Sequence, residues 1–206
     1  TVNDIQRMVV AGIHVSIGHS NASYQQAQSA VEAGVSGFTH LFNAMSPIQG
    51  REPGVTGCAL LNDNTACGLI VDGHHVDYAS CQLALKTKPV GKIFLVTDAM
   101  LPVGTEDQTF AFFDRHVHLS QGKLTSSTGE LAGSVLDMAT AVKNAHTHLK
   151  LALDEALRMA SGYPANYIKD QRRGQLVVGK QADFVVLDNE LNVQSTWIAG
   201  KCRYKA

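Results

Sequence analysis

The chain has 206 residues, 45% of them hydrophobic, which suits one ordinary domain or one domain with a small appendage. Seventeen basic residues against eighteen acidic ones give a net charge of −1 and no basic run, which excludes nucleic acid and anionic membrane surfaces as expected partners. No apolar run approaches the roughly 20 residues of a membrane helix. The cysteines lack Cys-x-x-Cys spacing and are predicted to be buried, reduced thiols of a cytoplasmic protein. They are Cys58, Cys67, Cys81 and Cys202.

Strand-like and helix-like segments alternate from the start of the chain to about Leu101. The strand-like segments are apolar on both faces and read GIHVSIGH, VSGFTHLF, ACGLIVDG and KIFLVTDA. Two helices are predicted among them, SYQQAQSAVEAG, with Ser23 and Gln26 in capping-box spacing, and VDYASCQLALKTK. A loop rich in Pro and Gly, SPIQGREPGVTG, follows the second strand. This alternation predicts a parallel sheet built from βα units.

The pattern changes after the fourth strand. TFAFFDRHVHLSQGKLTSS alternates with period two around a Gln-Gly pair, which predicts an inserted β-hairpin at about 109–126. SVLDMATAVKNAHTHL and LDEALRMASGY are predicted helices, the second ending before Pro164. Residues 169–206 are predicted to form short strands of a small β-sheet unit, distinct from residues 1–168. Turns are expected there at Gly179-Lys180 and Asp188-Asn189.

Groups that bind metals or transfer protons follow each of the four predicted strands. They are His19, His40, Asp72 with His74 and His75 beyond it, and Asp98. The carboxyl ends of parallel strands share one edge of a sheet, where α/β proteins bind their ligands, so we expect these groups to converge. Gly18 is predicted to free the backbone there and present His19. Only one of the adjacent His74 and His75 is expected to face a ligand, and Asp72 is either a second metal ligand or the N-cap of the next helix.

Two imidazoles on neighbouring strands suit a divalent metal ion, most often zinc. A carboxylate across the site can take a proton from metal-bound water, whose pKa is lowered to about 7, and can then protonate a leaving amine. This chemistry is metal-assisted hydrolysis of an amide-like bond. Two other histidine pairs are not expected to bind metal. His116 and His118 share one face of a strand that follows the fourth βα strand, and His146 and His148 point in different directions on a helix.

Six motifs occur in the order GHSNAS, THLFNAM, GREPG, DGHHVD, VTDAM and ELAGSVLDM. With them the chain closely resembles the N-acetylglucosamine-6-phosphate deacetylases, a family of the amidohydrolase superfamily, and the tail GQLVVGKQADFVVLD resembles the C-terminal signature of that superfamily. The resemblance implies an α/β fold in which residues 1–168 are the C-terminal half, the last four βα units, of a (β/α)8 TIM-type barrel. Residues 169–206 would be part of a small β-sandwich. It also implies metal-dependent hydrolysis of the N-acetyl amide of N-acetylglucosamine 6-phosphate, giving glucosamine 6-phosphate and acetate.

The resemblance assigns roles to individual residues. His19 and His40 match metal-binding histidines, and Asp98 matches the aspartate that activates water and then protonates the sugar nitrogen. Arg51 and His75 match contacts to the phosphate, and in such enzymes the arginine can reach across the interface of a homodimer. A further loop matches one that lies over the bound sugar. The residues matching substrate contacts are Asn43, Ala44, Arg51, His75, Leu131, Ala132 and Gly133.

The residues alone agree for Arg51, since a guanidinium in a Gly-Pro loop suits bidentate phosphate binding, although a solvated loop charge explains it equally well. A barrel needs eight strands, and this chain supplies four. The glutamate ligand of the family would lie in the other half, so the zinc ligand set is incomplete here. Without an initial methionine, the chain is expected to be a piece of a longer one. Two alternatives stay open: a catalytically silent fragment that dimerises to cover its sheet edges, and an amidohydrolase acting on another amide.

Overall fold

The computed structural model describes residues 1–101, 103–105, 107, 109–112, 115–120, 122–126, 129 and 131–206. The helices are α1 Val2–Val10, α2 Tyr24–Glu32, α3 Gly54–Leu61, α4 Tyr78–Thr87, α5 Met138–Thr147, α6 Leu153–Ala160 and α7 Gly162–Tyr167. The strands are β1 Ser16–Ile17, β2 Gly37–Phe38, β3 Ala66–Leu69, β4 Ile93–Leu95, β5 Thr109–Phe112, β6 Arg115–Ser120, β7 Lys123–Ser126, β8 Phe184–Leu187, β9 Val193–Ile198 and β10 Lys201–Lys205.

Strands β1 to β4 form a parallel sheet in chain order, as the alternation of strands and helices predicts. The pairing runs past the strands themselves toward their carboxyl ends, because the N–H of Leu41 donates to the carbonyl of Gly68 at 2.8 Å. The N–H of Val96 likewise donates to the carbonyl of Leu69 at 3.1 Å. These bonds align the carboxyl ends of the strands at one edge of the sheet, so side chains that follow different strands can contribute to one site.

The hydrophobic core lies between this sheet and its helices. Its largest members expose less than 2% of their surface, and each contributes about 1.5–3 kcal/mol through burial of apolar area. They include Phe38, Leu41, Leu69, Ile70, Leu95 and Met159. Strands buried on both faces need no polar face, which explains why the strand segments are almost continuously apolar in the sequence.

Helix α3 replaces part of the loop that the sequence predicts at SPIQGREPGVTG. The prediction was wrong from Gly54 onward because seven of the eight residues of α3 are buried, so the helix has no polar face and no amphipathic period. Gly54 begins it with φ of 63°, and a Cβ there would lie 2.6 Å from the carbonyl oxygen of Ser46. Only glycine fits this position.

The other helix boundaries follow the sequence with one exception. Both bonds of the capping box predicted at α2 are present, between Ser23 and Gln26. The helix predicted at LDEALRMASGY does end before Pro164, at Ala160, but the unpredicted short helix α7 follows it and has Pro164 as its third residue. A first-turn proline loses no intrahelical hydrogen bond, which is why the helix tolerates it.

Residues 109–126 form a three-stranded antiparallel sheet, β5-β6-β7, where a single hairpin was predicted. Strands β6 and β7 pair as expected, with Ser120 opposite Lys123, and Gln121 of the predicted turn lies outside the described residues. The first predicted strand is instead two paired strands, with Thr109 opposite His118. Period two alone does not reveal where a strand turns back, since both halves keep the same alternation.

The tail forms a second antiparallel sheet, in the order β10-β9-β8. The predicted turn at Asp188 is confirmed, because its Oδ1 accepts the N–H groups of Glu190 and Asn192 at 2.9 Å. Within the tail, residues 169–183 form no strand, and residues 175–178 are exposed. Cys202 on β10 is also exposed, so its predicted burial is wrong, whereas the other three cysteines are buried as expected. In the described part of the chain no helix is long and apolar enough to cross a membrane.

We expect Ala199→Asn to stabilise the protein. Ala199 and Gly200 join β9 to β10 with φ of 51° and 73°, the left-handed conformation at both central residues of a type I′ turn, which Asn-Gly adopts best. The gain should be about 0.5–1 kcal/mol, or a rise in Tm of about 1–4 °C. Urea unfolding measures it. The matched control Ala79→Asn, in helix α4, should lower stability instead. An unchanged or lower Tm for Ala199→Asn would contradict this account of the turn.

Candidate functional site

Three of the predicted site residues leave their strands in the left-handed backbone conformation. His19, His40 and Asp98 have φ of 47°, 26° and 53°. Such a conformation costs a non-glycine residue roughly 1–2 kcal/mol and is concentrated at functional sites. Gly18 does not release the backbone as predicted, because its φ is not positive. Gly18 is instead required for space, since a Cβ there would overlap Cγ2 of Thr39.

His19 and His40 meet at the carboxyl ends of β1 and β2. Their Nε2 atoms lie 2.9 Å apart, and the rings are nearly perpendicular, at 82°. His40 is buried, with 8% exposure, whereas His19 is exposed. The parallel register that pairs Ile17 with Phe38 places the two histidines, each two residues further on, side by side.

The pair fits part of a zinc site. Two nitrogen ligands of a tetrahedral zinc ion lie roughly 3.3 Å apart, so these Nε2 atoms need to separate by only a few tenths of an ångström. Nδ1 of His40 is buried and has no hydrogen-bond partner among the described residues, although a metal-bound imidazole usually donates from its second nitrogen. No third Cys, Asp, Glu or His side chain among those residues joins the pair.

Asp98 follows β4 at the same edge, and its side chain is exposed without a hydrogen bond to any described residue. Its backbone, in contrast, is held from one side by Ser134. The N–H of Ser134 donates to the carbonyl of Asp98 at 2.8 Å, and the Ser134 hydroxyl donates to the carbonyl of Thr97. That hydroxyl also accepts the N–H of Leu136 at 3.0 Å. The carboxylate therefore makes no hydrogen bond to the described residues, whereas the backbone that carries it is fixed.

The predicted sugar-covering loop, residues 131–133, runs between the small antiparallel sheet and Asp98. The N–H of Ala132 donates to the carbonyl of Leu124 at 3.1 Å, and Leu131 is exposed. Gly133 has φ of 79°, and a Cβ there would lie 3.2 Å from the carbonyl oxygen of Asp98. The loop thus lies beside Asp98, while Glu130, part of the ELAGSVLDM motif, lies outside the described residues.

Asn43 and Ala44 lie in the turn that follows His40. The Asn43 side-chain amide donates to the carbonyls of His40 and Leu41 at 3.3 and 3.2 Å, so its N–H group stabilises the turn. Ala44 is exposed with φ of 48°, and its carbonyl accepts the N–H of Ser20, next to His19, at 2.9 Å. These two residues therefore tie the ends of β1 and β2 together.

Arg51 is exposed in a tight turn in which Gln49 and Glu52 exchange backbone hydrogen bonds, and it has no ion-pair partner among the described residues. Glu52 anchors the turn, because its Oε1 accepts the N–H of Tyr24 at 2.7 Å and that of Gly54 at 3.0 Å. These two bonds lower the pKa of Glu52. The backbone of the turn is therefore fixed, while the Arg51 guanidinium is exposed and unpaired among the described residues.

Asp72 and His75 form a buried pair after β3. Asp72 Oδ2 lies 2.6 Å from His75 Nδ1, and the two side chains are 10% and 7% exposed. The prediction that Asp72 caps the next helix is wrong, because Asp77 is the N-cap of α4 and accepts the N–H of Ala79 at 2.8 Å. His74 is exposed, whereas the side chain of His75 is turned inward.

The remaining two histidine pairs lie on the surface. His116 and His118 on β6 are exposed. His146 and His148 are exposed as well, and they make separate contacts, His146 Nδ1 with the carbonyl of Leu151 at 2.8 Å and His148 with the ring of Tyr78.

Two residues that brace the site were not singled out from the sequence. Ser134 holds the backbone of Asp98, and Glu52 holds the turn of Arg51. Both lie inside the motifs ELAGSVLDM and GREPG, directly beside residues that were singled out. Their partners are distant in the chain, since Ser134 bonds Thr97 and Glu52 bonds Tyr24, and no local pattern indicates such pairs.

Comparison with known proteins places these features in one family. A deacetylase of Shewanella sp. (strain ANA-3), specific by name for N-acetylgalactosamine 6-phosphate, is 46% identical over 206 residues, which are 100% of this chain and 52% of that protein. The N-acetylglucosamine-6-phosphate deacetylase of Vibrio furnissii is 37% identical over 95% of this chain and 49% of its own length. The crystal structure of the N-acetylglucosamine-6-phosphate deacetylase from Pasteurella multocida matches with a TM-score of 0.94 and 43% identity, covering 98% of this chain and 54% of that one.

The chain thus spans about half the length of the curated relatives that it matches, and its α/β fold is that of the deacetylase structures. The model of the amidohydrolase family matches residues 6–203, nearly the whole chain. On this match and on the shared fold, the chain belongs to the amidohydrolase family.

Proposed function

We propose that the protein containing this chain hydrolyses the N-acetyl amide of an N-acetylhexosamine 6-phosphate, giving the amino sugar phosphate and acetate. The observation that carries the proposal is the convergence of His19 and His40, with Nε2 atoms 2.9 Å apart, at the carboxyl ends of neighbouring parallel strands. The names of the relatives supply the substrate class.

In this proposal residues 1–168 are the last four βα units of a (β/α)8 barrel, and residues 169–206 are part of a small β-sandwich. Four parallel strands paired in chain order support the first assignment. The separate antiparallel sheet of β8, β9 and β10 supports the second. An open sheet leaves β1 and β4 as edges, which the other barrel strands would cover.

His19 and His40 would hold a divalent metal ion, for which zinc is the best match to two imidazole ligands. When bound, such an ion polarises the amide carbonyl and makes water a better nucleophile at neutral pH. His40, buried and packed at the end of β2, would fix the position of the site. His19, exposed beside it, would face the substrate side.

Asp98 would act as the general base and then the general acid. Its carboxylate, free of hydrogen bonds to described residues, would accept the proton of the attacking water. The same proton would pass to the amide nitrogen as the carbon–nitrogen bond breaks, so that the amine leaves neutral. The fixed backbone of Asp98, bonded to Ser134 at 2.8 Å, would keep the carboxylate in place through both transfers.

The 6-phosphate would be bound by Arg51 and His75. Arg51 is exposed, lacks an ion-pair partner among described residues and stands on a turn anchored by Glu52, which suits phosphate binding within the protomer or, in a homodimer, across the interface. The substrate contacts proposed for Asn43 and Ala44, and for the loop of Leu131, Ala132 and Gly133, are supported by the position of these segments beside His40 and Asp98.

Asp98→Asn should lower kcat by at least about 100-fold, the usual contribution of a general base, in the intact protein. Metal content, measured by elemental analysis, should stay unchanged because Asp98 is not grouped with the two histidines among the described residues. Asp63→Asn, an equal change at an exposed loop before β3, is the control and should retain full activity. Near-normal turnover by Asp98→Asn would refute the assigned mechanism.

The relative with 46% identity acts by name on the galacto sugar, and the relative with 37% identity on the gluco sugar, so N-acetylgalactosamine 6-phosphate is the second candidate substrate. We expect kcat/KM to be highest for one of these two 6-phosphates and at least about 10-fold lower for the unphosphorylated sugars, because phosphate contacts are charge-assisted. Equal turnover with and without the 6-phosphate would favour an amidohydrolase that acts on another amide.

A second comparison concerns the 206-residue chain by itself. If it forms a metal-free, inactive dimer while the intact protein is active, the chain alone is a silent fragment.

A further inference from the structure

The buried pair of Asp72 and His75 is more constrained than a phosphate contact alone requires. Asp72 Oδ2 lies 2.6 Å from His75 Nδ1, and Asp72 Oδ1 accepts the N–H groups of His74 and His75, both at 2.8 Å. The carboxylate therefore fixes both the ring and the backbone of the same histidine. A side chain at the tip of a flexible loop would have neither restraint.

Asp72 is held in its ionised form by the same hydrogen bonds that fix its position. Burial acts to raise the pKa of Asp72, but the hydrogen bonds from the His75 ring and from the two backbone N–H groups outweigh it and lower the pKa to about 2. Asp72 is consequently a carboxylate at every pH at which an enzyme of this kind works. An anion buried to this extent needs a partner, and His75 is the nearest group that can carry a compensating charge.

The other ring nitrogen of His75, Nε2, bonds to no described residue and is not among the fully buried polar atoms that lack a partner. Because Asp72 occupies Nδ1, a ligand can bind this imidazole only at Nε2. The protonated ring carries an N–H at both nitrogens, so it can bond Asp72 and an anion at once.

We propose that Asp72 is a positioning residue for the substrate, which holds the His75 ring so that Nε2 meets the 6-phosphate and balances the charge of the imidazolium that binds it. This inference rests on the proposed function, which supplies the phosphate. In this proposal the two phosphate contacts, Arg51 and His75, differ in how far each side chain is ordered before the substrate binds. Arg51 is exposed and must be ordered by the substrate, whereas His75 is already ordered by Asp72, so it loses little conformational entropy on binding.

Asp72→Asn in the intact protein tests the proposal. Asparagine keeps an acceptor for the two backbone N–H groups but removes the negative charge and places an N–H2 group near Nδ1, so the carboxylate that holds the ring is lost. We expect KM for the phosphorylated substrate to rise about 10-fold or more, as for loss of a charge-assisted hydrogen bond, with kcat within about 3-fold of the original. The kcat/KM for the unphosphorylated sugar should not change.

Asp77→Asn is the matched control. Asp77 carries the same charge five residues along, and asparagine is an equally good N-cap for α4, so neither KM nor kcat should change.

A double mutant shows whether Asp72 acts through His75 or stabilises the site in some other way. In a protein that already carries His75→Ala, adding Asp72→Asn should leave KM unchanged, because Asp72 acts through His75. An additive loss in the double mutant, or an equal loss on both substrates, would overturn the proposal.

A spectroscopic measurement on the unsubstituted protein tests the proposal even if the Asp72→Asn variant does not fold. It does not depend on catalysis. In the unsubstituted protein, the 15N NMR signals of His75 should show a proton on Nδ1, and inorganic phosphate should shift the Nε2 signal more than the Nδ1 signal. A protonated Nε2 with a bare Nδ1 before phosphate is added, or no response to phosphate, would overturn the assignment. If the protein deacetylates neither 6-phosphate, the proposed function fails, while the NMR result still decides whether Asp72 positions an anion-binding histidine.

Discussion

Parallel hydrogen bonding of four short strands is the constraint on which the candidate site depends. Each strand has only two to four residues in its regular part, yet the register aligns Ile17 with Phe38 and Cys67 with Ile93. Polar groups that are far apart in the chain therefore come to one edge, where there is water for those that are not buried. A shift of one residue in β1 or β2 would turn the following histidine away from its partner.

The backbone at that edge is as unusual as the side chains it carries. His19, His40 and Asp98 all have positive φ, and Ala44 beside them does too. Each conformation is unfavourable on its own for a residue with a side chain, so bonds from elsewhere must hold it. Ser134 does so for Asp98, and the Asn43 amide does so for the turn after His40. Strained backbone at the strand ends thus occurs together with the hydrogen bonds that hold it in place.

The residues that brace the site, Ser134, Glu52 and Asp72, differ in whether they hold backbone or a side chain. Ser134 and Glu52 hold backbone and leave the neighbouring charged side chain free, which suits groups that must reach a substrate or exchange a proton. Asp72 holds a side chain directly and leaves one ring nitrogen open. The described segments therefore combine exposed side chains on a fixed backbone, Asp98 and Arg51, with one side chain, His75, whose own orientation is fixed.

The sequence by itself determined the alternation of strands and helices, the parallel sheet and the residues at the strand ends, because periodicity and chain order are local properties. It failed for helix α3, whose burial on all sides removes the amphipathic period, and for the role of Gly18, which depends on contact with Thr39. Only the tertiary structure decided that His19 meets His40, that Asp72 binds His75 rather than capping α4, and that Ser134 holds Asp98. The first and last of these pairs join residues that meet only when the parallel sheet has formed. Asp72 and His75 are three residues apart, but their contact depends on how the loop after β3 folds, which no period in the sequence indicates.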